Sequence, residues 1–308
     1  MNSYWLKVIF HYIFLIFSVY LITFFLIRLV PGNPIDFLVG QSNFSADVNQ
    51  IKEHLGLDLS IFEQVVKALK NLFQLDFGLS IHQNIDVLFL LKPALINTAL
   101  LAILSVSMAV FIGIPLGLFI SYLNSSFLNQ ITKCINAILI AIPSFILAPI
   151  LILFFAIFLD LLPVSGMEKP SSILLPAATL SIGFIAYLVK MTMDSTEELK
   201  DSILIIAAKS KGLNLSYIYF THVIKLISLP IVTAIGLQLG GLLSGTIITE
   251  MIFSWNGIGK LLIDSIHQRD YPITQATVFF IAISYVTINF ILEFIYLKLD
   301  PRIKNYHE

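Results

Sequence analysis

Residues 207–212 read Ala207-Ala208-Lys209-Ser210-Lys211-Gly212, and His222 and Leu229-Pro230 follow downstream. Apolar stretches flank this polar connector on both sides. A membrane chain built this way presents a helix–turn–helix element to water, as a handle for a cytosolic partner. The Ala-Ala pair suits close helix packing, and Gly212 suits a turn that requires φ > 0. Pro230 fits the first turns of the next span, where a missing N–H is tolerated.

Working outward, six stretches are long and apolar enough to cross a bilayer, near 8–27, 97–122, 134–159, 171–190, 226–249 and 273–296. A helical span needs about 20 such residues. The chain of 308 residues is 57% hydrophobic and 12% charged, with mean hydropathy +0.91, whereas soluble domains average about 25% charged residues. Composition alone therefore makes this an integral membrane protein. The first stretch is too long for a signal-peptide core, and Arg28-Leu29-Val30-Pro31-Gly32 is no cleavage site, so it reads as a retained span. The single Cys134 excludes a disulfide framework and a cysteine zinc site. Histidines at 11, 54, 82, 222, 267 and 307 lack metal-ligand spacing, so no metal site is expected. Gly259-Lys260 is the nearest approach to a P-loop, but Leu261 stands where Ser or Thr is required.

Six spans put both termini in one compartment. That side would carry Lys7, Lys133, Lys190, Lys200, Lys209, Lys211, Lys225, Lys298, Arg302 and Lys304. The short loops opposite hold Lys169, Lys260 and Arg269. Positive-inside reasoning places the connector and both termini in the cytosol. The expected organisation is a tail and first span (1–30), an extracytoplasmic segment (31–93), a core of five spans (94–297) with the connector at about 194–225, and a cytosolic tail (298–308).

Within 31–93, Ser60-Ile61-Phe62-Glu63 reads as a capping box. Phe62, Val65, Val66, Leu69, Leu72 and Phe73 then recur at helical spacing. This amphipathic helix either links the first two spans by packing or lies against their outer mouth. In the fifth span Gly236, Gly240 and Ser244 fall at intervals of four, with Gly241 and Gly245 alongside. Such an overlapping small-xxx-small pattern permits close helix approach, as fixed packing or as a moving seam. Pro143, Pro149 and Pro176 are expected to kink their spans. Glu250 closes the fifth span and either lines the substrate mouth or pairs with Lys260 or Arg269. His222 either contacts the docking partner or caps the connector helix. Arg28, Asp160, Lys190 and Glu293 lie near span ends, where side chains snorkel. Trp255 and Tyr271 suit interfacial anchors.

Ordered signposts then run along the chain. They are Arg28-Leu29-Val30-Pro31-Gly32-Asn33-Pro34, Leu55-Gly56-Leu57-Asp58, Asp76-Phe77-Gly78, Leu162-Pro163-Val164-Ser165-Gly166 and Leu237-Gln238-Leu239-Gly240-Gly241-Leu242-Leu243. Glu250-Met251-Ile252-Phe253-Ser254-Trp255-Asn256-Gly257-Ile258-Gly259, Arg269-Asp270-Tyr271-Pro272 and Leu299-Asp300-Pro301-Arg302 complete the set. This order resembles the permease subunits of the dipeptide, oligopeptide and nickel ABC importers. Asn256 stands where that family usually has proline. The connector resembles the family's ATPase-docking loop, with Ile206 in the slot that holds Glu in the general form.

The resemblance implies an all-α, six-helix membrane protein of the type I ABC importer permease fold, in the bacterial cytoplasmic (inner) membrane. It implies a second homologous permease subunit, two cytosolic ATPase subunits and an extracytoplasmic substrate-binding protein as partners. ATP and Mg would be used by those ATPases, with no cofactor bound and no catalytic residue in this chain. Ala207, Ala208, Lys211, Gly212, His222 and Pro230 would form the coupling loop. Gly236, Gly240, Ser244, Glu250, Gly257 and Gly259 would form the translocation seam and outer gate. Peptides are the default cargo, with nickel, metal chelates and glutathione-like compounds as alternatives.

Two other classes compete. An intramembrane serine hydrolase would use Ser244 with His222 or His267, but Leu242 stands where its motif needs glycine. His222 and Ser244 would also lie about six turns apart on a continuous helix. An ATP-independent channel or scaffold leaves the polar connector unexplained.

Overall fold

The computed structural model describes residues 2–29, 59–244 and 246–299. The signposts at 30–34 and 55–58, and those from 300 onward, lie outside the described residues. In chain order the helices are α1 (Asn2–Leu29), α2 (Ile61–Phe73), α3 (Val87–Leu123), α4 (Ser126–Ala141), α5 (Ser144–Phe158) and α6 (Leu174–Leu199). They continue with α7 (Ile203–Ser210), α8 (Leu215–Leu226), α9 (Ser228–Leu243), α10 (Ile247–Ile252), α11 (Ile258–His267) and α12 (Tyr271–Leu299). The chain divides into two compact units, residues 1–98 with 256–286 and residues 99–255 with 287–308. Helices α3 and α12 run through both.

In the first unit, Ser60 and Glu63 close the expected capping box at the start of α2. Hydrogen bonds from the Ser60 hydroxyl and backbone hold the Glu63 carboxyl below its ordinary range. Helix α2 turns back along α1 in antiparallel fashion. Arg28 Nε donates to Gln64 Oε1 at 2.9 Å, the Tyr20 hydroxyl donates to the Ala68 carbonyl at 3.2 Å, and Phe17 meets Phe73 ring to ring at 5.6 Å. The amphipathic helix is thus a packing element. Arg28 does not snorkel freely: its guanidinium is tied to Gln64 and stacks over the Phe24 ring at 3.4 Å. Tyr20, Leu72 and Phe279 form a small core, and Val87, Leu91, Ile273 and Ala276 form a second.

The second unit holds the broken spans. Among the described residues, four helices are long and apolar enough to cross a membrane, and the number rises to six if each of two bent pairs is one span. The expected third span, 134–159, is not one kinked helix. Helix α4 begins at Ser126 and stops at Ala141, and α5 leaves at 98°. Pro143 is the cause: its ring pushes Ile142 into extended backbone (φ −76°, ψ 116°), and it then caps α5. A break replaces the expected kink. Similarly α8 and α9 meet at 57° before the expected fifth span, and α9 ends at Leu243. Glu250 therefore belongs to the separate short helix α10.

Of the four unbroken candidate spans α6 is the most buried, and α3 lies against it at Gly113 and Gly117. A Cβ on Gly117 would meet Thr192 Cβ at 2.7 Å and the Val189 carbonyl at 3.0 Å, and one on Gly113 would meet Leu188 Cβ at 2.9 Å. This small-xxx-small seam in the second apolar stretch was legible in Gly113-Ile114-Pro115-Leu116-Gly117, and the reading of the fifth span alone missed it. Trp255 packs with Leu101 and Ala177 at 5% exposure, so it is a core residue rather than an interfacial anchor.

Candidate functional site

Most of the residues expected to function lie on two surfaces of the second unit. The first is the connector. Helix α7 carries Ala207 and Ala208, of which only Ala208 is buried, packed with Ile205, Ile218 and Val223. Gly212 adopts φ +76° immediately after α7, the left-handed turn its sequence position requires. The Gly212 and Leu213 amides bond back to Lys209 and Ala208, which closes the helix end. Asn214 then caps α8 by accepting from the Ser216 amide at 3.2 Å. His222 is exposed on a π-helical turn and meets Tyr217 edge to face at 5.5 Å. Pro230 occupies the third residue of α9, inside its first turn.

Beneath, the connector is anchored through Tyr219, Ile227 and Ile231 to Leu118. Its outer side leaves Ile203 85%, Leu204 63% and Ile206 51% exposed, next to the exposed Lys209 and Lys211. An apolar ridge of this kind, rimmed by cations, has the composition of a protein-binding surface.

The second surface is a cavity of about 600 Å3 where the two broken spans meet α6. Ser144 from the start of α5, Thr179, Gly183 and Tyr187 from α6, Gln238 from α9, and Thr246 beside α10 line it. This size lies within the roughly 300–1,000 Å3 of small-molecule sites. Breaks in membrane helices leave backbone polar groups uncovered, and they are tolerated where the backbone lines a cavity.

The expected seam residues are distributed unevenly. Gly236 and Gly240 are buried on α9, and a Cβ on Gly236 would fall within 2.5 Å of the Leu292 side chain on α12. Ser244 ends α9 and donates its hydroxyl to the Gly240 carbonyl at 2.8 Å. Gly241 faces open space. Glu250 is fully enclosed, and the Thr246 hydroxyl donates to its Oε1 at 3.5 Å. Gly257 and Gly259 belong to the other unit, where Gly257 precedes α11 and Gly259 is buried within it.

The turn around Asn256 is held by two residues that the sequence reading did not single out. Asn97 Nδ2 donates to the Asn256 carbonyl at 2.8 Å, and the Ile258 amide donates to Thr98 Oγ1 at 2.8 Å. An Asn-Thr pair inside an apolar run was the available signal. Among the described residues, no group of three or more His, Cys, Asp or Glu side chains is placed to hold a metal ion.

Comparison with known proteins agrees with this architecture. Residues 113–305 match the family described as binding-protein-dependent transport system inner membrane component, and residues 1–82 match its N-terminal component. A probable peptide ABC transporter permease protein, y4tP, of Sinorhizobium fredii (strain NBRC 101917 / NGR234) is 32% identical over 289 residues, covering 91% of this chain and 92% of its own. The glutathione transport system permease protein GsiC of Escherichia coli (strain K12) is 28% identical, covering 94% of both chains. A chain of the MetNI methionine ABC transporter, solved in inward-facing conformations, superposes with TM-score 0.59 at 17% identity, over 69% of this chain and 97% of that one. That likeness shows the type I permease fold. The chain belongs to the binding-protein-dependent transport system inner membrane components, the permeases of ABC importers.

Proposed function

We propose that this chain forms half of the pathway of an ATP-driven importer for peptides or peptide-like solutes. A second, homologous permease supplies the other half, and two cytosolic ATPases dock on the connectors. An extracytoplasmic binding protein delivers the cargo, and ATP with its Mg is bound and hydrolysed by the ATPases alone. In this reading both termini and the connector are cytosolic, and residues 31–93 face outward. The coupling surface is Ala207, Ala208, Lys211, Gly212, His222 and Pro230. Gly236, Gly240, Ser244 and Glu250 line or support the pathway, and Gly257 and Gly259 shape the outer turn.

The observation that carries the proposal is the connector: an apolar ridge at Ile203, Leu204 and Ile206 held beside a left-handed Gly212. Such a ridge stays soluble only when a partner covers it. The relatives, whose names give peptide and glutathione transport, support this cargo. The cavity is in keeping with it, since its lining is apolar with neutral Ser, Thr, Tyr and Gln side chains.

The test is uptake of radiolabelled trialanine by cells carrying the whole transporter, with and without this chain. Uptake that needs the chain and the partner ATPases supports the reading. Chain-independent uptake, or a connector that fails to co-purify an ATPase, overturns it.

A further inference from the structure

Several hydroxyls that line the cavity are already engaged. The Thr179 hydroxyl donates to the Leu175 carbonyl at 2.8 Å, and Thr246 donates to Glu250. The Gln238 carboxamide and the Tyr187 hydroxyl are different. Among the described residues neither has a hydrogen-bond partner, although both line the cavity. The Tyr187 ring lies nearly parallel to that of Phe184, at a centroid distance of 6.2 Å and 16° between planes, with its edge on the cavity. Gln238 stands on α9, whose Ser228 and Thr233 hydroxyls are both bonded to backbone carbonyls of the preceding turn.

A polar side chain without a partner in a membrane span is costly unless it meets water or a polar solute. Gln238 sits at a cavity wall instead of between helices, which removes helix–helix bonding as its use. The carboxamide offers one acceptor oxygen and two N–H donors, and a residue in extended peptide backbone presents its own N–H and C=O on one side. The two pair in both directions at once. No Asp, Glu, Lys or Arg lines this cavity, so charged ends of a solute find no match at this wall.

We propose that Gln238 is a specificity-determining residue of the pathway, reading a backbone amide of the passing solute, with Tyr187 as the second contact. This rests on the peptide-importer reading above. It goes further by making the permease itself selective, through neutral amide recognition at one wall. The permease thereby rejects solutes of similar size that lack a free peptide N–H.

The experiment compares uptake of radiolabelled trialanine with that of trialanine methylated on both of its peptide nitrogens, in cells carrying the whole transporter. Wild type, Gln238→Met and Tyr187→Phe are compared at equal membrane levels. One binding protein serves every variant, so a change in the ratio of the two uptakes isolates the permease. Gln238→Met keeps the length of the side chain and loses its hydrogen bonds. It is expected to reduce trialanine uptake by about tenfold while leaving the methylated peptide little changed, so the preference collapses by the same factor. Tyr187→Phe keeps the stacked ring and should reduce the preference by a smaller factor. A loss of both uptakes in equal proportion would mark Gln238 as merely structural and overturn the proposal, as would an unchanged preference in both variants. Absence of trialanine uptake by the wild type would overturn the peptide reading itself, a separate and recognisable outcome.

Discussion

The Ser80 hydroxyl donates to Asp270 Oδ2 at 2.6 Å, and both side chains are buried although 190 positions separate them. The same oxygen accepts from the amides of Ile81 at 2.9 Å and His82 at 3.4 Å. The other, Oδ1, accepts from Ile273 at 3.3 Å and so caps α12. One carboxylate thus joins the turn before α3 to the start of α12. Removing it strands several donors, each costing about 1–3 kcal/mol when buried. Asp270→Ala should lower the melting temperature of the purified protein clearly, and Asp270→Asn, which keeps an acceptor oxygen, should lower it less. Equal melting of Asp270→Ala and wild type would remove the clamp.

Glycines in this chain should differ sharply in tolerance. Gly117→Ala places a Cβ against a backbone carbonyl that cannot retreat cheaply, whereas Gly241→Ala meets nothing within 4 Å. Overpacking of this kind costs about 1–3 kcal/mol. Thermal melts in detergent should show a loss for Gly117→Ala and none for Gly241→Ala.

Gly236 offers a rescue test. The atoms its new Cβ would meet belong to the branched end of Leu292. Gly236→Ala alone should reduce stability and uptake, and Leu292→Ala in the same chain should recover part of both. Strictly additive losses in the double variant would show that the two residues do not share this space.

At Gly212 the obstacle is conformation, because no atom lies within 4 Å of the position its Cβ would take. With φ at +76°, Gly212→Val should impair ATPase co-purification and uptake more than Gly212→Asn, since Asn tolerates the left-handed region. Gly212→Asp adds an acid beside a surface that carries Lys209 and Lys211 and should also disrupt coupling while the protein still inserts. Uptake at wild-type level by Gly212→Val would remove the turn from the coupling surface.

The cap of α2 should depend on pH. Hydrogen bonds from Ser60 favour the charged form of Glu63, so its folded pKa lies below the unfolded value of about 4.3. The contribution of the cap is complete above that unfolded value and is lost as pH falls through the folded one. Proteolytic protection of α2 should therefore weaken at low pH in the wild type. Glu63→Gln should show a flatter dependence, and parallel curves would discount the cap.

Features that arise within a few residues of each other were legible in the chain alone. The apolar stretches followed from the length of chain needed to cross a bilayer. The Ser60–Glu63 box, the left-handed Gly212 and the place of Pro230 followed from local hydrogen bonding and sterics, and each stands where its pattern put it. Tertiary structure decided whatever depended on a distant neighbour. Pro143 ended its helix by local sterics, but where the two halves then lay was set by packing, with α4 against α6 and α5 leaving at 98°. Trp255 has the chemistry of an interfacial anchor and became core because Leu101 and Ala177 enclose it. Nothing in the sequence links Asp270 to its partners near position 80, and the cavity on which Gln238 stands unpaired is walled by α5, α6, α9 and α10 together. Local rules fix backbone conformation because their atoms are always near. Burial and pairing are set by which surfaces the fold brings together, and no short window of sequence contains both partners.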